Sequence, residues 1–271
     1  MKMYLSLFRY ELKTLLRDPL NLFMLIYPFF MLGFVGWLIP TILVRSGLDT
    51  QGPEYALSML LLFILILAIG GFISGVILGF SLLENKDEQT IKAIAVSPMT
   101  VQGYTLFKTT YAFIFGVLGN FVMLFGMKYL FGNTFSFTYG ETSFGLARID
   151  NGSIVLFSIV SSLITPTAGA LMAALAKNKI EGFALMKSGG IVFMVPLLIL
   201  LEAFGDWKQF ILGVSPNFWA VKGFYNLALN TQGPNDLTFG WYLVIGTVYM
   251  VVIATYALRF FIRRVNAERS S

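Results

Sequence analysis

The chain contains no cysteine and no histidine, and only 12% of its 271 residues are charged. It therefore forms no disulfide, offers no thiol nucleophile and lacks the commonest zinc ligands. A metal ion would need carboxylate or carbonyl oxygens, and the sequence predicts neither a metal site nor a catalytic residue. The nearest approach to a phosphate-binding loop, Gly182 to Ser188, lacks the second glycine before Lys187, so the chain is not expected to hydrolyse ATP.

Apolar residues are what the chain has in excess. They make up 57% of it, whereas soluble domains are roughly half apolar and about a quarter charged. Several apolar runs reach the roughly 20 residues that cross a bilayer as helix, which favours a helical bundle over a barrel. The first residues carry scattered charges and no small-residue cleavage site, so no removable signal peptide is expected. The sequence predicts an all-α integral membrane protein.

Six transmembrane helices are predicted. They are placed at about 20–44, 55–83, 104–131, 154–176, 183–201 and 241–262. An amphipathic helix over residues 3–18 precedes them and is expected to lie in the cytoplasmic interface. Pro28 is expected to kink the first span. Residues 132–150 are expected to form an outer loop, and Asn151 is expected to cap the fourth span.

The segment 202–239 is apolar enough to enter the membrane, but Ser215 and Pro216 interrupt it. It is either a seventh span or a pair of short re-entrant outer helices. The distribution of basic residues decides between the two arrangements, because the loops on the cytoplasmic side of membrane spans are enriched in Lys and Arg. The re-entrant arrangement leaves fourteen of the 19 basic residues inside, with both termini cytoplasmic. The five outside are Arg45, Lys128, Arg148, Lys208 and Lys222.

A polar insert from Glu84 to Gly103 separates the second and third spans. Ile91 and Ile94 fall at helical spacing within it, which predicts a short helix with one apolar side. Pro98 ends this helix, and Thr100 is expected to cap the third span near Val101. The insert fits a docking surface and also fits an ordinary solvated loop.

Gly71, Gly75 and Gly79 recur four residues apart in the second span. Such a small-residue face lets another helix approach closely, and helix packing is favoured over a direct role in substrate binding. The pattern fits contacts within one subunit as well as contacts between two.

No charged residue lies in the central part of a predicted span. This absence weighs against a proton-driven or ion-driven transporter, which needs ionisable groups there. The 27 phenylalanines and 12 methionines suit a hydrophobic ligand, but lipid-facing surfaces use the same residues.

In its motifs and their order the chain resembles the permease subunits of ABC-2 type transporters, over essentially residues 1–271 as one domain. The matching features are Arg17-Asp18-Pro19, Leu82-Leu83-Glu84, Glu88-x-Thr90-Ile91-x-x-Ile94 before Ser97-Pro98, and Ser215-Pro216-x-x-Trp219. Met99 and Thr100 depart from the expected leucine followed by a small or basic residue. By resemblance, a coupling region docks on a separate ATPase subunit through Glu84, Glu88, Thr90, Ile91, Ile94, Ser97 and Pro98.

The resemblance also implies partners and cargo. The chain itself would bind no cofactor, because ATP and magnesium would bind to the partner ATPase. Two permeases, as a homodimer or a heterodimer, would flank the pathway in a bacterial plasma membrane. The cargo would be a hydrophobic or amphipathic compound such as a drug, a peptide antibiotic or a lipid-linked molecule, and no nucleic acid is expected.

Two other functions stay open at this point. A secondary transporter or channel would need ionisable groups within the spans or inverted repeats, and neither is clear. A membrane enzyme or scaffold would need polar groups that converge at one membrane depth, although solvated loops explain the candidates more simply. These candidates are Glu141, Asp150, Glu202, Asp206 and Asp236.

Overall fold

A computed structural model describes residues 19–87 and 100–270. Six helical stretches are long and apolar enough to cross a membrane, which confirms the all-α membrane class with six spans. They are Leu25–Arg45, Pro53–Lys86, Val101–Leu130, Asn151–Leu175, Lys179–Leu200 and Phe239–Val265. The predicted interfacial helix over residues 3–18 lies outside the described residues.

The first span is irregular near its second proline. Its parts are α1 (Pro19–Gly33), a π turn (Phe34–Leu38) and α2 (Ile39–Arg45). α1 continues through Pro28, and the π turn directly precedes the residues around Pro40. Proline donates no hydrogen bond and crowds the carbonyl four residues back, so the backbone widens there. The Ile39 N–H accordingly bonds to the Phe34 carbonyl.

The second span is the central helix of the bundle. The helices that follow α2 are α3 (Pro53–Asp87), α4 (Val101–Leu130), α5 (Asn151–Ser161), α6 (Ile164–Leu175), α7 (Lys179–Phe193), α8 (Phe218–Leu229) and α9 (Phe239–Ser270). α3 contacts α1, α4, α6, α7 and α8. At 1.5 Å per residue it is about 50 Å long, which exceeds the ~30 Å hydrocarbon core of a bilayer. One end of α3 therefore projects beyond the apolar layer.

The fifth span begins at Lys179, four residues earlier than expected. Asn178 starts it, because its side-chain oxygen accepts the Glu181 N–H at 2.9 Å. After α7 the span continues as a 3-10 segment, Val195–Leu200, which includes a proline. Lys187, which was counted among the fourteen cytoplasmic basic residues, therefore lies eight residues after the start of the span.

Residues 132–150 contain a β-hairpin where a plain loop was expected. The antiparallel strands are β1 (Ser136–Tyr139) and β2 (Thr142–Gly145). Phe137 and Phe144 are paired across the strands, and their buried rings stack with centroids 4.7 Å apart. Gly140 makes the tight turn with a φ of +59°, a conformation that glycine adopts without a Cβ penalty.

The fourth span is capped one residue earlier than expected. The Asp150 carboxylate accepts the Ser153 N–H at 2.8 Å, so Asp150 and not Asn151 caps α5. The Asn151 side chain instead accepts hydrogen bonds from Lys128 at 2.7 Å and Tyr129 at 3.1 Å. These two bonds join the ends of α4 and α5.

The segment 202–239 begins with a 3-10 turn, Glu202–Phe204, and then forms one short helical piece on each side of a Ser-Pro turn. Trp207–Val214 before the turn is 3-10, and α8 after it ends at Asn230 in the left-handed conformation. α8 packs against β2, so this segment and the hairpin lie at one end of the bundle, called the hairpin end below. The opposite end, where α3 finishes at Asp87, is called the Glu84 end.

Aromatic rings form the core at the hairpin end. The Phe63 ring of α3 lies 4.8 Å from Phe144 and 6.1 Å from Phe224. Phe157 of α5 lies 4.5 Å from Phe224. All four side chains are buried. Edge and tilted contacts of this kind add to the stabilisation from burial, so hairpin, α3, α5 and α8 share one core.

Candidate functional site

The last turn of α3 carries Glu84, where the predicted coupling region begins. A Glu84 carboxylate oxygen lies 2.5 Å from the ammonium of Lys179, the first residue of α7. The side chains are 32% and 44% exposed, respectively. Exposed ion pairs contribute roughly 0–1 kcal/mol. The pair therefore joins two spans without contributing much to stability.

α3 and α4 are tied together on both sides of the insert. Asn85 donates to the Tyr104 hydroxyl at 3.2 Å, and Lys108 donates to the Ser81 hydroxyl at 2.7 Å. The Thr100 side chain accepts an N–H of the first turn of α4 at 3.0 Å, as predicted. The insert thus leaves and re-enters the bundle at two helices that are held to each other.

The short turn between α6 and α7 is anchored from α9. Arg264 donates to the Ala174 carbonyl at 3.0 Å. This carbonyl belongs to the last turn of α6, where carbonyls lack partners within the helix and a cation is favourable. Glu181 accepts the Lys177 N–H at 2.8 Å, so its side chain ties the residue before the N-cap to the first turn of α7. The Glu84 end therefore links α3, α4, α6, α7 and α9.

An apolar pocket of about 200 Å³ lies between α3, α6 and α7. The ring centroids of Phe72 and Phe193 in its wall are 4.5 Å apart. Ser188 also lines it, but its hydroxyl donates to the Ala184 carbonyl of its own helix at 3.1 Å. Sites for drug-sized ligands have roughly 300–1,000 Å³. The pocket can therefore enclose an aromatic ring system but not a whole drug.

The predicted outer turn fixes the other end of this pocket. Ser215 donates to the Val192 carbonyl at 2.7 Å, and the Asn217 amide donates to the Phe193 carbonyl at 2.8 Å and to Ala68 at 3.2 Å. Asn217 is buried and was not singled out from the sequence, although a polar residue directly after Ser-Pro is a usable signal. The turn at Ser215 and Pro216 thus holds α7 to α3.

A buried ion pair joins α8 to the loop before α9. The Lys222 ammonium lies 3.2 Å from Asp236, and the two side chains are 10% and 7% exposed. The Gly233 N–H and the Tyr242 hydroxyl also donate to this carboxylate, at 2.8 and 3.2 Å. The expectation of a solvated loop position was wrong for Asp236, and Lys222, which was only counted as an outer residue, is buried as well. A lysine within an apolar helix needs an acidic partner, and that requirement was the missed signal.

Burial and partners act in opposite directions on the pKa of Asp236. Burial alone raises it, but the Gly233 N–H, the charge of Lys222 and the remaining hydrogen bonds outweigh burial and hold the pKa below its usual value. Asp236 is therefore ionised at neutral pH and retains its pairing with Lys222.

A family model described as Fluoroquinolones export permease protein Rv2686c-like matches residues 11–258. The chain belongs to this family. Two relatives from Mycobacterium tuberculosis are the Fluoroquinolones export permease protein MT2760 of strain CDC 1551 / Oshkosh and the Fluoroquinolones export permease protein Rv2686c of strain ATCC 25618 / H37Rv. Each is 27% identical to this permease over 258 residues. The aligned residues cover 93% of this permease and 91% of each relative. No solved structure matches the permease. Family membership confirms the resemblance to drug-exporter permeases.

The glycine row of the permease faces α6 of the same chain. Along the row, Gly71, Gly75 and Gly79 lie opposite Ile164, Ala168 and Met172. A Cβ added at Gly75 would stand 2.9 Å from the Thr165 carbonyl oxygen, and the Thr165 hydroxyl donates to the Gly71 carbonyl at 2.9 Å. The two backbones approach so closely that α3 and α6 form one packed unit.

Glu84 is the one predicted coupling residue within residues 19–87 and 100–270. The others, Glu88, Thr90, Ile91, Ile94, Ser97 and Pro98, lie outside the described residues. Three of the five acids that were predicted on the outer side have local roles in the permease: Asp150 caps α5, Asp206 caps a 3-10 turn and Asp236 pairs with Lys222. Within the described ranges, no three His, Cys, Asp or Glu side chains gather to hold a metal ion.

Proposed function

We propose that this permease is the membrane-spanning subunit of an ATP-driven exporter of hydrophobic or amphipathic drugs. A separate ATPase subunit docks at the Glu84 end through the insert between α3 and α4. Family membership supports drug export, and the two relatives named for fluoroquinolone export support an aromatic, amphipathic cargo. The permease acts as a pair, with itself or with a related chain.

The observation that carries this proposal is the continuity between the pocket and the Glu84 end. α3 lines the pocket with Phe72 and Val76 and runs unbroken to Glu84. There it pairs with Lys179, the first residue of α7, which lines the pocket with Leu185 and other residues. A displacement of the insert therefore reaches two of the three pocket walls.

The packing indicates which wall moves. α3 and α6 form one unit through the glycine row, whereas α7 is linked to α3 at the Glu84 end by a half-exposed ion pair and by the contact of Gly182 with Leu83. ATP binding in the partner shifts the docked insert, and α7 then moves as a rigid body against the α3–α6 unit. The Glu84 end faces the cytoplasm in this proposal, because most basic residues lie there.

The test is purification of the detergent-solubilised permease from its native membranes. An ATPase subunit is expected to co-purify with the wild type and not with the double variant Ile91→Asp/Ile94→Asp. Val214→Asp, which changes an exposed apolar residue at the hairpin end, serves as the matched control and keeps the ATPase. If the wild type retains no ATPase, the ATP-driven mechanism is wrong.

A further inference from the structure

The fifth span, which contains α7, has the smallest buried share of the six spans. In the most apolar stretch of each span, 17% of the residues are buried in the fifth and 72% in the fourth. Ser188 and Val192 face the pocket, whereas Ile180 and Ile191 point away from it and are 82% and 71% exposed. The outward side of α7 therefore needs a partner from outside the chain, whether lipid, ligand or the second permease of the pair.

Lys187 lies on this outward side. Its ammonium is 4.8 Å from the centroid of the Phe183 ring, one turn earlier on the same helix. The lysine is exposed, and within residues 19–87 and 100–270 no carboxylate forms an ion pair with it. A cation thus stands in the middle of an otherwise apolar helix face.

The length of the fifth span places Lys187 within the hydrocarbon core. Lys179–Phe193 as α-helix and Val195–Leu200 as 3-10 helix together span about 35 Å. The core is ~30 Å thick, so nearly the whole span is needed to cross it. Lys187 follows Lys179 by eight residues, or about 12 Å. An ionisable group at such a depth is costly and usually marks a binding site or pathway.

Other basic residues in the spans have more room. α4 and α9 are about 45 and 48 Å long, which exceeds the ~30 Å core by roughly 15 Å or more. Lys108 and Arg259, near their Glu84-end turns, can therefore lie outside the core. Lys108 also donates to Ser81 of α3. Lys187 has no spare helix length, and it donates no such bond to the part of the chain that the structure describes.

We propose that the outward side of α7 binds an aromatic amphiphile that carries a carboxylate. The carboxylate binds the Lys187 ammonium, and the ring system lies along Phe183 and Ile191. The ion pair offsets the cost of an unpaired cation in the core, and the apolar residues match the rest of the ligand. This inference rests on the proposed export of drugs, and fluoroquinolones have this chemistry, since a carboxylic acid is attached to their ring system.

The test compares norfloxacin with its methyl ester on the full-length permease in nanodiscs of phosphatidylcholine. Lys187→Met is expected to weaken binding of the acid about tenfold or more, because a charge-assisted bond is lost. The same variant binds the ester as the wild type does. Lys187→Arg keeps the charge and retains affinity for the acid. Lys208→Met, an exposed lysine at the hairpin end, is the matched control and changes neither affinity.

Three results would overturn this inference alone. In the first, Lys187→Met binds norfloxacin as tightly as the wild type does. In the second, the variant loses affinity for norfloxacin and for its methyl ester equally. In the third, the variant binds both compounds normally but retains less phosphatidylglycerol than the wild type in nanodiscs that contain this lipid. The last result would assign the lysine to lipid phosphate. If the wild type binds neither compound, the proposed drug cargo is wrong and the inference fails with it.

Discussion

Two ion pairs at opposite ends of the permease differ in burial and therefore in what they do. Lys222 and Asp236 at the hairpin end are 10% and 7% exposed, whereas Lys179 and Glu84 at the other end are 44% and 32% exposed. Removing one partner of a buried pair leaves a charge in a low-dielectric interior, but water replaces the partner of an exposed pair. The hairpin end is thus rigidly held, and the Glu84 end has a link that opens at little cost.

The largest effect is expected from Lys222→Met. This change leaves the Asp236 carboxylate buried without its cation and is expected to destabilise the fold by about 3–5 kcal/mol. Thermal unfolding of the purified permease in detergent measures the loss. Lys179→Met at the exposed pair is the matched control and should cost less than about 1 kcal/mol. Equal losses at both ends would contradict the comparison.

The next effect is expected from Gly75→Val, which tests the rigid unit of α3 and α6. The added side chain meets the Thr165 carbonyl and the Ala168 side chain, and overpacking of this kind costs about 1–3 kcal/mol. Gly190→Val is the control on α7, where the nearest atom to an added Cβ is 3.9 Å away, on Phe72. Thermal unfolding should separate the two variants. Similar melting temperatures would show that the contact between α3 and α6 accommodates a larger side chain and is not a rigid unit.

Acid should weaken the hairpin end. The folded pKa of Asp236 is below its usual value, so its contribution to stability is complete above the unfolded value of about 3.9 and is lost as pH falls through the folded pKa. Thermal unfolding between pH 7 and pH 3 should show this loss. In the double variant Lys222→Met/Asp236→Asn, the melting temperature should fall less steeply with decreasing pH. In Glu84→Gln it should fall as in the wild type. If the melting temperature of the double variant falls with pH as steeply as that of the wild type, Asp236 is not the cause of the acid sensitivity.

The smallest effect on stability is expected at the Glu84 end, where transport is the sensitive measurement. Glu84→Lys places two cations together and should slow ATP-dependent drug export from vesicles while stability changes by less than about 1 kcal/mol. The exchange Glu84→Lys/Lys179→Glu restores the pair and should recover export. If the exchanged variant stays as slow as Glu84→Lys, the ion pair is not the link between α3 and α7.

Local patterns were sufficient for much of the fold. Apolar runs of bilayer length predicted six spans, and Thr100 predicted the start of α4 because an N-cap depends only on neighbouring N–H groups. The sequence also alternates polar and aromatic residues before Gly140, from Ser136 to Tyr139, and a further aromatic residue, Phe144, follows the glycine. Such a pattern on both sides of a glycine indicates a hairpin. That signal was missed because the whole stretch was treated as an outer loop.

Sequence alone determined that this protein is an all-α membrane protein with six spans, because hydropathy and helix length are local properties. Only the tertiary structure decided that the glycine row faces α6 within the chain, that Lys222 pairs with Asp236, and that Lys187 lies on the outward side of the fifth span. Each of these depends on which residues distant in sequence approach each other, or on where a neighbouring turn lets a helix begin. The coordinates of several helices together determine such contacts, and the periodicity of one helix does not contain them.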